Sequence, residues 1–174
     1  MAQQKQKQSM ASISIRQLVD AVLWVESMSF EQREQLADEV YSLQPNLFAS
    51  VMVLHLYGAT QVQMDVVLSL LLVFHEAMKI SCGSWPVVSE DVQERCLNRV
   101  SGRVCFTEGL SPQLQTQAAA DAVESNPEKQ LLAYVFGKFK ENDLLGVKTE
   151  AEKMLMLAAL NLVECIAKTA PRPK

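Results

Sequence analysis

The stretch Gln61–Ser81, QVQMDVVLSLLLVFHEAMKIS, constrains this chain more than any other. Between Val66 and Phe74 only Ser69 is not strongly apolar, so a helix here is greasy on nearly every face. Such a helix has to be buried, in a protein core or in lipid. Asp65, His75, Glu76 and Lys79 interrupt the segment, and its charge-free core of nine residues falls well short of the roughly 20 that a membrane span needs. The expectation is a buried helix in a globular core, without membrane insertion.

The rest of the chain supplies the material for such a core. Its 174 residues suit one well-filled domain, and the near-even apolar and polar balance excludes disorder and collagen-like structure. Glycine and proline number six each, which leans toward helices. A net charge of −4 lacks the basic footprint with which nucleic-acid binders displace counterions from phosphates, so no nucleic acid is expected as partner. The N-terminal MAQQKQKQSMASIS carries no apolar stretch after its lysines. Cys82, Cys96, Cys105 and Cys165 form no C-x-x-C pair. Free, mostly buried thiols in the reducing cytoplasm are the simplest expectation.

Capping grammar divides the chain into helices. Ser14–Gln17, Ser29–Gln32, Thr60–Gln63 and Thr149–Glu152 are spaced as capping boxes. The first helix, about Ser14–Met28, is expected to turn Ile15, Leu18, Val19, Val22 and Leu23 inward, and the second Leu36, Val40 and Leu43. Pro45 opens a third helix over Asn46–Tyr57, stopped by Gly58. The long apolar helix follows, and Cys82-Gly83-Ser84-Trp85-Pro86 ends it. Ser89 starts a fifth helix, with Val92, Cys96, Val100 and Val104 inward. Ser111-Pro112 starts a sixth through Ser125, and Asn126-Pro127 a seventh. Glu141–Lys148 is a loop, and Glu150–Lys168 the final helix. The fold class is all-α, a single-domain bundle of about eight helices over residues 12–169. Residues 1–11 are expected as a disordered tail and 170–174 as a short C-terminal one.

The two halves rhyme. An offset of 82 places Ser29 on Ser111, Gln35 on Gln117, Ala37 on Ala119, Pro45 on Pro127 and Val53 on Val135. With seven extra residues in the second loop, Thr60–Gln63 falls on Thr149–Glu152. Two readings stand: a duplication, giving pseudo-repeated four-helix units at 14–82 and 89–168, or eight consecutive helices with ordinary caps. Both put 61–81 and 150–168 at the centre, as two apolar helices surrounded by six amphipathic ones.

Chemical motifs are sparse. His55 and His75 have no metal-ligating residue three or four positions away, so no metal site is expected. There is no P-loop, G-x-G-x-x-G, G-x-S-x-G or E-x-x-H, and no catalytic residue or cofactor is expected. Arg95, Arg99 and Arg103 recur at i, i+4 and i+8. They are either a contact for an acidic partner or phosphate-bearing ligand, or stems flanking the apolar row with their heads in water. Methionines sit on the most apolar helices, where they suit adaptable surfaces.

The pattern leads to a cytoplasmic, non-enzymatic helical module working by protein contact, as a homodimer or an adaptor. The alternative is a small apolar ligand held between the two apolar helices, lined by Met64, Ser69, His75, Met78, Met154 and Asn161.

Overall fold

A computed structural model of the chain describes residues 13–107 and 109–171. The tail expected at 1–11, residues 172–174 of the one expected at 170–174, and the side chain of Cys105 lie outside the described residues. Among these residues there are eight α-helices, one 3₁₀ segment and no strand: α1 Ile15–Ser27, α2 Phe30–Leu43, α3 Pro45–Met52, a 3₁₀ turn Val53–Tyr57, α4 Gln61–Cys82, α5 Glu90–Thr107, α6 Pro112–Ser125, α7 Lys129–Glu141 and α8 Glu150–Thr169. The chain forms an all-α, single-domain bundle.

The caps act as their chemistry dictates. Ser14, Ser29 and Thr60 each accept from the backbone N–H three residues on, and Gln17, Gln32 and Gln63 reach back to the cap N–H. At α8 the box is displaced by one residue. Thr149 accepts from the Glu152 N–H, whereas the Glu152 carboxylate takes the N–H of Lys148. The expected third helix tightens after Met52 into the 3₁₀ turn, a common ending for an α-helix. It stops at Gly58, whose φ of 84° lies in the left-handed region that favours glycine.

α4 is buried at Val67 and continuously from Leu70 to Met78. α8 is buried at Leu155–Leu157, Ala159 and Asn161–Ile166, and the two helices touch. α1 packs most extensively on α4, and α5 on α8. α7 lays Leu131, Leu132, Val135 and Phe139 against this core, while α6 buries no described residue.

Two expected inward rows turn out differently. In α1 the buried residues are Leu18, Ala21 and Val25, which leaves Ile15, Val19 and Leu23 at 66, 48 and 62 % exposure. The helix offers two overlapping apolar rows. The one containing Ala21 wins, because a methyl side chain with no exposed surface lets α1 come close to α4. In α2, Leu36 and Val40 point inward but Leu43 is exposed.

Buried Gln44 and Glu128, with half-buried Asn46 and Gln93, tie segments far apart in the sequence. The Gln44 amide, at the α2–α3 junction, donates to the Pro86 carbonyl at 3.0 Å and accepts from the Val88 N–H at 2.9 Å. Asn46 donates to the Val88 carbonyl at 2.8 Å, and Gln93 to the Asn46 carbonyl at 3.1 Å. The segment entering α5 is thus held by the start of α3. At the other end, the Ile13 N–H, just before α1, donates to buried Glu128 at the start of α7. A buried N–H or carbonyl that loses its partner costs about 1–3 kcal/mol. Gln44→Ala strands one of each, so chemical denaturation of that variant is expected to show a loss of roughly 2–4 kcal/mol. A loss under about 0.5 kcal/mol would mean that water replaces the amide.

Candidate functional site

Among the described residues, two surface clefts are formed where helices meet. The first, about 190 Å³, lies where α5, α8 and the α6–α7 junction meet. Arg99 and Arg103 line it from α5, Glu164, Ala167 and Lys168 from α8, and Ser125, Asn126 and Pro127 from the junction. The second, about 240 Å³, is bounded by His75, Met78 and Lys79 of α4, by Leu43 and Gln44 between α2 and α3, and by the turn carrying Gly83, Ser84, Trp85 and Val87. The offsets that align the two halves of the sequence also align the clefts. Leu43 and Gln44 fall on Ser125 and Asn126, and His75, Met78 and Lys79 fall on Glu164, Ala167 and Lys168.

Their electrostatics differ. In the second cleft Lys79 Nζ lies 2.8 Å from both Glu39 and Glu76, and His75 Nε2 lies 3.1 Å from Glu39. The lysine is fully compensated. Its hydrogen bond holds the Glu39 carboxyl below its ordinary 4.5; partial burial opposes this and His75 adds to it. Burial alone would lower the Lys79 ammonium, but the bonds from Glu39 and Glu76 outweigh it and raise it. The His75 Nδ1 atom is buried without a hydrogen-bond partner.

In the first cleft one carboxylate faces three cations. Glu164, 6 % exposed, binds Arg99 at 2.5 Å and lies 3.6 Å from Arg103, while Lys168 is exposed. Two of the three arginines singled out by spacing therefore converge on one acid, and Arg95 stays exposed. Glu164 is the sole charged residue between Leu155 and Ala167. That isolation in an apolar helix, opposite a regular arginine row, was the available signal for the pair.

Of the residues expected to line an apolar cavity, His75 and Met78 face the second cleft. Met64, Ser69 and Met154 are half-buried, and Asn161 is buried, accepting from the Cys165 thiol at 3.6 Å; none of these four lines either cleft. Cys96 and Cys165 are both buried. Burial pushes both thiols up, Cys165 far above its usual range. Cys82 is exposed at the end of α4. Among the described residues no three His, Cys, Asp or Glu side chains are placed to hold a metal ion, and no helix is long and apolar enough to cross a membrane.

The fold and clefts define an all-helical bundle without a recognisable catalytic or metal motif among its described residues. No protein-family model, curated protein or solved structure matches the chain.

Because Glu39 titrates lower in the folded chain, its stabilising contribution is present above the ordinary 4.5 and disappears as pH falls through the depressed value. Glu39→Gln is expected to lower stability at pH 7 by about 1 kcal/mol or less, since the pair is partly exposed. The difference from the parent chain should close in acid, as followed by melting temperature against pH. A gap that stays constant into acid would exclude the ion pair as its source.

Proposed function

We propose that this chain is a non-enzymatic, cytoplasmic helical interaction protein that self-associates through the outer face of α1. The observation that carries this reading is the row Ile15, Val19, Leu23, spaced at i, i+4 and i+8 and left in solvent. Contiguous exposed apolar surface on a small protein marks a contact site. Thirteen of the fifteen large hydrophobic residues exposed among the described residues precede α5, α1 among their elements. Trp24 and Phe30 are also exposed, at 53 and 75 %.

A second copy is the partner this row fits best. It is symmetric about Val19, so an antiparallel α1 from another subunit meets Ile15 with Leu23 and Leu23 with Ile15, the self-complementarity of a two-fold contact. Free thiols at Cys82, Cys96 and Cys165 agree with a reducing compartment.

The bundle is proposed to descend from a duplicated four-helix unit. Three observations support this. The clefts fall at matching offsets. α3 touches α5 as α7 touches α1. Ile13 and Val88, each fully buried just before its helix, are both held by polar side chains from the start of the other half's third helix.

Light scattering of the full chain at micromolar concentration is expected to give twice the monomer mass. Val19→Lys should give the monomer with an unchanged circular dichroism spectrum, since Val19 is half in solvent. A monomeric parent chain, or a Val19→Lys dimer, would remove this reading.

A further inference from the structure

The cleft between α5, α8 and the α6–α7 junction has features of a built site that the contact face does not use. Three cations and one carboxylate line it, a formal excess of two positive charges on a chain whose net charge is −4. The matching cleft of the other half has no such excess, because Glu39 and Glu76 both bind its lysine.

Glu164 organises the donors. Being buried, it is a fixed anchor, and it draws the Arg99 and Arg103 guanidinium groups to one point. A guanidinium carries five N–H donors in a rigid fork, and a single carboxylate cannot occupy those of two. Arg99 and Arg103 keep 40 and 59 % of their side-chain surface in solvent, so donors remain available in the cleft. Lys168 adds an exposed ammonium. The Asn126 side-chain oxygen accepts from the Glu128 N–H, which leaves its amide NH₂ as a neutral donor on the remaining wall.

We propose that this cleft binds a tetrahedral oxyanion of charge −2, free or as the head group of a small phosphomonoester. Paired guanidinium forks suit tetrahedral oxyanions, and a phosphomonoester is largely dianionic at neutral pH. Drug-sized ligands occupy pockets of about 300–1,000 Å³. At about 190 Å³ this cleft admits a head group with a short carbon tail.

The test titrates inorganic phosphate and glycerol 3-phosphate into the full chain at constant ionic strength, set with sodium chloride. Calorimetry and melting temperature are the readouts. The expected result is saturable binding and a rise in melting temperature that chloride does not reproduce. Arg103→Glu and Lys168→Glu, both at exposed positions, should each weaken binding by about tenfold or more. Arg33→Glu, an exposed charge reversal on α2, should leave it unchanged. Arg99 is spared because its loss would uncover buried Glu164. Tighter binding of glycerol 3-phosphate than of phosphate identifies the phosphomonoester as occupant; equal binding identifies the free oxyanion. Absence of saturable binding by both, or binding indifferent to both charge reversals, would overturn the proposal. The Val19→Lys chain should bind as the parent does, so failure here leaves the α1 contact standing, and the reverse holds too.

Discussion

From Leu70 to Met78 every residue of α4 is buried, and two of them, His75 and Glu76, are polar. A helix so enclosed needs neighbours on all sides, and its polar groups need partners that arrive with those neighbours. α1 covers it with the flat row around Ala21, α8 and α7 close other faces, and α2 brings Glu39 to His75 and Lys79. α8 sets the same demand through Glu164 and is answered by the arginines of α5. Burying a large apolar side chain such as Phe74 or Phe139 is worth roughly 1.5–3 kcal/mol. Those gains hold the bundle together, while the polar pairings select which helix face meets which.

The two polar clusters distribute charge differently. Around Lys79 each charge is compensated inside the cluster. Around Glu164 the compensation is incomplete and cations remain. A buried carboxylate is costly to leave unpaired, so the arginines would be retained for stability alone. Lys168, the third cation at the same cleft, sits in the last turn of α8, where a positive charge complements the helix dipole.

Much of the fold was legible because helix caps are local. Ser or Thr at a cap with Gln or Glu three residues on is satisfied within one turn, so helix starts at 14, 29, 60 and 149 were written in short motifs. The displaced Glu152 contact was not, because its acceptor depends on a loop conformation no local pattern specifies. The α1 orientation was also illegible. Ile15, Val19 and Leu23 form as good a stripe as Leu18, Ala21 and Val25, and the choice depends on how closely α4 can approach. At the cationic cleft, spacing singled out the arginine row, but Glu164 and Lys168 come from residues some 65 positions away on another helix. The polar contacts of Gln44 and Glu128 span 42 to 115 positions and left no trace in periodicity.

Those last contacts have a consequence for how the molecule comes apart. Gln44 and Asn46 in the first half complete the entry to α5, and Glu128 in the second completes the entry to α1. Neither half carries all the hydrogen-bond partners its own leading segment requires. Melting one half exposes unpaired backbone in the other, so the chain has no route to a half-folded intermediate that keeps its buried groups satisfied. Loss of structure then becomes a single cooperative event across the core of the described residues, rather than two transitions in sequence.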